Sequence, residues 1–140
     1  MLTEWHPTST DTTFSRLGGT EAVHAMGERF YRAVQELEPA LAAMYPREPN
    51  GEINLALRQR FTLFLMGWFG GPQDYFKTHV HPRMRSAHAH LRIDSAMRDA
   101  WLRCMWLALD GFPALDSGVR NYLEYRFDEM ADLLRNTPDE

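Results

Sequence analysis

The chain has 140 residues and a formal net charge of −4; the length predicts one domain that buries its core without disulfides, and the charge argues against a nucleic-acid-binding protein. The single cysteine, Cys104, cannot form an internal disulfide, and no apolar run approaches the roughly 18 residues of a membrane span. Residues 1–7 have neither the basic nor the apolar region of a signal peptide, so we expect a soluble, cytoplasmic protein.

The first half of the chain predicts helices, because apolar residues recur three and four positions apart and strand-like alternation is absent. Residues 1–11 are polar and predict a flexible arm. Thr20 is expected to cap the second helix, and Glu38-Pro39 to end it. The helices predicted in this half, separated by Gly or Pro signals, are 13–17, 20–37, 40–44 and 52–69.

The second half continues the helical pattern after an interruption. Residues 73–82 are predicted to be mostly irregular. Pro82 is expected to start a short helix that holds Met84 and His88, and Asp94 to be the N-cap of the next helix. The two long helices predicted here are 94–109 and 116–135.

Four of the six histidines form two His-x-His pairs, at 79/81 and 88/90. Neutral imidazole binds zinc and nickel. On a helix, however, the two rings of such a pair point about 200° apart, and no Cys or Glu lies at a matching ligand spacing. A metal site at these pairs is therefore a minor hypothesis.

His88 has a more specific neighbourhood. Met84 and Leu91, one turn away on either side, give it an apolar face. Arginines beside an apolar slot suit a flat amphipathic ligand that carries carboxylates, and haem has that shape. The arginines concerned are Arg83, Arg85 and Arg92.

Other residues are ambiguous when each is taken alone. Trp101, Tyr31 and Tyr45 are more often core residues with one satisfied polar atom than parts of a site. Cys104 has no neighbour in sequence that would lower its pKa, so we interpret it as a buried, inert thiol.

Several motifs occur together in one order and resemble the group II truncated (2-on-2) haemoglobins over residues 12–136. The resemblance implies an all-α, globin-like 2-on-2 helical sandwich around one haem b (iron protoporphyrin IX), with residues 137–140 as a C-terminal tail. The motifs are Gly18-Gly19, Arg29-Phe30-Tyr31, Tyr45-Pro46, Gly70-Gly71-Pro72, His81-Pro82-Arg83, His88 and Asp99-Ala100-Trp101-Leu102-Arg103-Cys104-Met105.

The resemblance also implies roles for particular residues. His88 matches the proximal ligand, which binds iron through Nε2. The residues that match the distal side, where a gas binds, are Tyr31, Tyr45, Trp101, Leu57 and Phe61. Those that match haem-packing positions are Phe64, Met84 and Leu91, and those that match propionate contacts are Arg60, Tyr75 and Arg85.

The chain departs from the family pattern beside the ligand and on the distal helix. Ala87 stands where a basic residue is common, and His90 stands where proline is common. Leu57 and Phe61 are large where the family often has a small residue and a Leu or Gln, which affects the side entry path and a further distal hydrogen bond.

Three functions remain open from the sequence. The first is a haem protein that binds O2, and also CO or NO, with high affinity for scavenging or redox chemistry, as a monomer or homodimer without nucleic-acid or membrane partners. The second is a haem enzyme, peroxidase-like or an NO dioxygenase, acting on peroxide or NO with a separate reductase. The third is a haem-free helical domain with a His-x-His metal site.

Overall fold

The computed structural model describes residues 4–78 and 84–139 of the chain. This part is helical, and its only pairing of extended residues is a single bridge between Arg47 and Ile53. Its helices are α1 (Thr13–Leu17), α2 (Thr20–Leu37), α3 (Pro39–Ala42), α4 (Leu55–Trp68), α5 (Asp74–Thr78), α6 (Met84–His88), α7 (Ser95–Asp110) and α8 (Ser117–Leu133). The predicted all-helical class is therefore confirmed.

Side-chain N-caps mark the first turns of α4, α7 and α8. Asp94 accepts a hydrogen bond from the backbone N of Met97, as predicted for α7. Asp116 caps α8 in the same way, and Asn54 caps α4 through the backbone N of Leu57 at 3.0 Å. The prediction that Thr20 caps α2 is wrong: Thr20 is the first residue of α2, and the cap position belongs to Gly19, whose φ of 91° favours glycine.

The segment predicted to be irregular, 73–82, contains α5 instead, so that prediction is wrong over 74–78. Tertiary packing stabilises this short helix, because the rings of Tyr75 and Phe76 lie 5.5 Å and 5.7 Å from the ring of Phe64 on α4. Gly67 leaves room for this contact, since a Cβ there would lie 2.5 Å from the Phe76 ring. The predicted start of α6 at Pro82 lies outside the described residues, but α6 holds Met84 and His88 as expected.

The long helices form two layers, α2 with α4 and α7 with α8, and α2 packs across α7. Apolar residues at helical spacing make the contact, and together their burial is the main stabilising contribution to the fold. The largest fully buried side chains include Met26, Phe30, Leu65, Met105, Leu109 and Phe127. In the described part no helix is long and apolar enough to cross a membrane.

The beginning of the described chain lies against α1 and α8. The indole of Trp5 donates a hydrogen bond to Asp11 at 3.1 Å and meets the ring of Tyr122 edge-on at 5.3 Å. Arg16 donates two hydrogen bonds to the same Asp11 carboxylate, at 2.7 Å and 2.9 Å. These donors lower the pKa of Asp11 to about 2. The segment predicted as a flexible arm thus has specific contacts with the helical domain.

Candidate functional site

A cavity of about 540 Å³ lies where α2, α4, α6, α7 and α8 approach one another. Its volume is in the range of cofactor pockets. The predicted site residues that line it are Tyr31, Tyr45, Leu57, Arg60, Phe61, Phe64, Tyr75, Met84, His88, Leu91 and Trp101. Residues 70 positions apart in the chain therefore meet around one largely apolar space.

His88 lies in the wall of this cavity at the end of α6. Its Nδ1 lies 2.6 Å from the backbone carbonyl oxygen of Met84, one helical turn earlier. Because a carbonyl only accepts hydrogen bonds, this contact assigns the proton of the neutral imidazole to Nδ1, which leaves Nε2 with its lone pair. Metal-binding histidines commonly have this arrangement, since the second bond fixes both the tautomer and the ring orientation.

The loop that follows α6 is held by the C-terminal segment. Asn136 Nδ2 donates to the carbonyl oxygens of His88 at 3.2 Å and Leu91 at 2.8 Å. Its Oδ1 accepts from the backbone N of Ile93 at 2.9 Å, and the backbone N of Thr137 donates to the Ile93 carbonyl at 3.1 Å. The segment predicted to be a tail after residue 136 thus takes part in fixing the loop beside His88.

A second part of the cavity wall is aromatic and carries polar hydrogens. The indole N–H of Trp101 lies close enough to the hydroxyl of Tyr45 to lower its pKa. The Tyr45 and Tyr31 rings lie 5.7 Å apart, and the Phe61 ring lies 5.7 Å from Tyr31 and 6.3 Å from Trp101. Two side chains with N–H or O–H groups, Tyr31 and Trp101, therefore flank the Phe61 ring, and Tyr45 lies beside Tyr31.

Both tyrosine hydroxyls stay protonated near neutral pH. Burial raises the pKa of Tyr31 well above its ordinary value, and burial also raises the pKa of Tyr45, against the opposing effect of the hydrogen bond from Trp101. The two hydroxyls are consequently neutral hydrogen-bond donors rather than anions.

The remaining predicted site residues have apolar or basic side chains. The Phe64 ring stacks on Phe61 at 6.4 Å, and Leu57, Met84 and Leu91 add aliphatic surface. Arg60 is an exposed residue of α4 that also lines the cavity, and within the described residues it has no ion-pair partner. Its guanidinium is available to a carboxylate at the cavity edge.

Arg85 is the exception among the predicted site residues. It lines a second cavity, of about 450 Å³, together with Ser86, Ala89 and Arg92. These residues belong to the other side of α6 and its following loop, away from Met84 and His88. Arg85 thus does not line the large cavity, whereas Leu91 lines both cavities.

The sequence interpretation missed part of the cavity wall. Met97 and Met130 were recognised only as members of buried helix faces, and Ala87 and His90 only as departures from the family pattern. Pro46 was recognised only as part of the Tyr45-Pro46 motif, and nothing local in the sequence singles out the remaining lining residues, which are Leu41, Met44, Ile93, Arg98, Ala131 and Leu134. Arg98 is engaged by Asp99 and Asp132 at 3.0 Å and 2.7 Å.

The His-x-His hypothesis gains no support from side-chain clustering. Among the described residues no group of three His, Cys, Asp or Glu side chains is placed to hold a metal ion. His79 and His81 lie outside those residues, as does Arg83. Of the two pairs, only His88 and His90 are described, and both line the large cavity.

A helical domain that places a histidine with a free Nε2 in the wall of a large apolar cavity has the architecture of a globin. The sequence profile of the bacterial-like globins matches residues 12–135. The chain belongs to this family, and within it to the group II truncated (2-on-2) haemoglobins.

Individual relatives support this assignment. The group 2 truncated haemoglobin YjbI of Bacillus subtilis (strain 168) is 31% identical over 113 residues, which are 81% of this chain and 80% of that protein. A cold-adapted truncated haemoglobin from the Antarctic marine bacterium Pseudoalteromonas haloplanktis TAC125 superposes with a TM-score of 0.80 at 32% identity, covering 90% of this chain and 98% of that one. The group II 2-on-2 haemoglobin of the plant pathogen Agrobacterium tumefaciens gives a TM-score of 0.79 at 25% identity, covering 96% and 100%.

These likenesses confirm the predicted family and the predicted 2-on-2 fold. As a globin, the chain is a haem-binding protein for small ligands. Family membership therefore favours the two haem hypotheses over the haem-free one.

Proposed function

We propose that this protein binds haem b through His88 Nε2 and holds O2 with high affinity by hydrogen bonds from the Trp101, Tyr45 and Tyr31 group. The observation that carries the proposal is the His88 Nδ1 bond to the Met84 carbonyl, in the wall of the same cavity that this aromatic group lines. The iron-binding nitrogen of His88 and the N–H and O–H groups of the aromatic residues border one apolar cavity. This arrangement suits a metal-containing cofactor that binds a small ligand on one side.

The residues present fit haem. The cavity is mostly apolar and of cofactor size, at about 540 Å³. Phe64, Met84 and Leu91 offer flat and adaptable surface to a porphyrin ring. Arg60 and Tyr75 provide polar groups for its carboxylates, and His88 provides the iron ligand. We do not include Arg85, because it lines the other cavity.

The side chains have distinct tasks in this proposal. Haem, when bound, supplies an iron with an open coordination position for a diatomic ligand. His88 holds the cofactor, and its bond to Met84 keeps the imidazole in the ligating tautomer. Leu57 and Phe61 exclude water from the distal space, so hydrogen bonds formed there are stronger than they would be in water.

The polar hydrogens favour ligands that become partly negative. A hydrogen bond to a charged acceptor contributes about 1.5–3 kcal/mol, which slows ligand release roughly ten- to a hundred-fold. O2 is polarised more than CO, so the Trp101 and tyrosine donors favour O2 over CO. Slow release suits scavenging, sensing or redox chemistry better than bulk transport.

In this proposal the Trp101 and Tyr45 side chains can rearrange when a ligand binds. The Trp101 indole N–H lies near the Tyr45 hydroxyl, whose own proton is free to point elsewhere. Trp101 therefore orients Tyr45, and either residue can donate to a ligand after a small rearrangement. Loss of the indole N–H weakens both.

The test is the rate of O2 release from the ferrous protein, measured by stopped-flow displacement with excess CO. The proposal expects slow release that accelerates when a donor is removed. The enzymatic alternative is tested in parallel by turnover of H2O2 or NO with a chemical reductant, and turnover that survives removal of the Trp101 and tyrosine donors would favour it. We place the protein in the cytoplasm in this proposal, in accordance with its single buried thiol.

A further inference from the structure

The second cavity, of about 450 Å³, lies behind α6 and is lined by charged and polar side chains. Its polar lining consists of Arg85, Ser86, His90, Arg92, Asn136 and Thr137. No acidic side chain belongs to the described lining. The cavity is therefore chemically unlike the apolar cavity on the other side of the helix.

The segment of the chain around this cavity is basic, although the chain as a whole is acidic. Residues 75–93 contain Lys77, Arg83, Arg85 and Arg92 and no Asp or Glu, although the whole chain has a net charge of −4. Positive charge is therefore concentrated on the segment that forms α6 and its flanks. An anion is attracted to such a region even when the whole protein is acidic.

Arg85 and Arg92 have no ion-pair partners within the described residues. The ion pairs found there engage other arginines, namely Arg16, Arg58, Arg98, Arg103, Arg120, Arg126 and Arg135. Two guanidinium groups without an ion-pair partner among the described residues line one cavity, so an anion there can form charge-assisted hydrogen bonds with them.

The neighbouring carboxylates are already engaged. Asp139 accepts from the backbone N and the hydroxyl of Ser95, both at 2.9 Å. Asp94 caps α7, and Asp132 accepts from Arg98 at 2.7 Å. None of them neutralises the two arginines of the cavity.

Hydrogen bonds hold Asn136 and Thr137, two C-terminal residues that line the cavity. Both hydrogens of the Asn136 amide are donated to the carbonyls of His88 and Leu91, and the Thr137 hydroxyl donates to Asn136 Oδ1 at 2.8 Å. The lining groups that remain free to donate to a ligand are the two guanidiniums, the Ser86 hydroxyl and the His90 imidazole. Planar N–H forks together with a hydroxyl suit the oxygens of a phosphate group.

We propose that this second cavity binds a small phosphate-bearing anion between Arg85 and Arg92, which line it and not the adjoining cavity of His88. Inorganic phosphate is the minimal ligand, and the cavity volume leaves space for a phosphate ester. The test measures phosphate binding and needs no haem-dependent readout, so its failure is distinguishable from failure of the function proposed above.

The experiment is isothermal titration calorimetry of the purified protein with inorganic phosphate, at a constant ionic strength set with chloride because salt screens such contacts. We expect saturable binding that Arg85→Gln and Arg92→Gln each weaken about tenfold, the effect of losing one charge-assisted hydrogen bond. The matched control is Arg32→Gln, an exposed arginine of α2 outside both cavities, which should bind phosphate as the unaltered protein does.

A second measurement distinguishes the loss of phosphate binding from poor folding of a variant. Phosphate should raise the thermal midpoint of the unaltered protein and of Arg32→Gln, but not of the Arg85→Gln/Arg92→Gln double variant, since a ligand stabilises only the form that binds it. Absence of saturable binding, or equal binding in all variants, would overturn the proposal. Cosedimentation with phosphatidylglycerol vesicles that the double variant abolishes, without binding of free phosphate, would also overturn it in favour of a lipid headgroup.

Discussion

Asn136 Nδ2 donates a hydrogen bond to the backbone carbonyl of His88 at 3.2 Å, although 48 residues separate the two in sequence. The same amide also holds Leu91 and Ile93. The end of the chain therefore fixes the loop that follows the histidine, and its contribution can be measured directly.

Asn136→Ala removes these side-chain hydrogen bonds and should lower the free energy of unfolding by about 2 kcal/mol, because each contributes roughly 1 kcal/mol and the residue is partly solvated. It should also speed haem loss, since the loop beside His88 is released. Chemical denaturation and transfer of haem to apomyoglobin measure the two effects. Asn121→Ala, an exposed position on α8, is the control and should change stability by about 0.5 kcal/mol or less. Equal behaviour of the two variants would mean that the C-terminal contacts do not support the site.

Trp101→Phe keeps an aromatic ring and removes the indole N–H that lies near the Tyr45 hydroxyl. O2 release should become at least about tenfold faster, by the hydrogen-bond free energy given above. Trp106→Phe is the matched control, because Trp106 packs on Phe127 at 6.4 Å and does not line the cavity. Stopped-flow displacement checks both. Equal rates of O2 release from the two variants would mean that Trp101 contributes packing but no hydrogen bond to the ligand.

Burial of the Tyr31 hydroxyl predicts a loss of stability at high pH. In the unfolded chain tyrosine loses its proton near its ordinary pKa of about 10, whereas burial keeps the pKa of Tyr31 higher in the folded protein. Above about pH 10 the unfolded state therefore binds fewer protons than the folded state, and stability falls as pH rises. Below that range the group has no effect on the pH dependence.

Denaturation midpoints measured between about pH 8 and pH 11 test this prediction. Tyr31→Phe should flatten the decline, whereas Tyr125→Phe, at a position that is 64% exposed, should leave it unchanged. Tyr45 and Cys104, whose pKa values burial also raises, account for the decline that remains. An unaltered slope in Tyr31→Phe would show that its hydroxyl does not contribute to the decline.

Cys104 should be unreactive in the folded protein. The residue is fully buried, and burial raises the pKa of its thiol to about 11, so almost no thiolate is present at pH 8. Iodoacetamide should modify it only after unfolding in guanidinium, as measured by intact mass. Rapid modification without denaturant would contradict the packing of α7 against α2.

Local signals explain why much of the fold was predictable from the sequence. Asp94 and Asp116 mark the starts of α7 and α8, and the Gly18-Gly19 pair marks the end of α1, because capping depends on neighbours in the chain. The short α5 was missed because its stability comes from Tyr75 and Phe76 packing on α4, which a local pattern does not contain.

Family resemblance supplied positions that the structure brings around one cavity, whereas contacts that span the chain could not be predicted. His88, Tyr45 and Trp101 line one cavity, as the resemblance implies. Arg85 lies elsewhere because α6 is one turn long and its two faces line different cavities. The role of Asn136 could not be predicted, since its partners lie more than 40 residues away.

The central claim is that His88 binds the iron of haem, and titration of the purified chain with haemin, followed by the Soret absorption band, tests it most directly. The unaltered chain and His90→Ala, which removes the neighbouring imidazole of the same cavity, should both bind one haem with the same spectrum. His88→Ala should bind weakly or not at all, since it removes the protein–iron bond. A His88→Ala variant with unchanged haem affinity and spectrum would contradict the account.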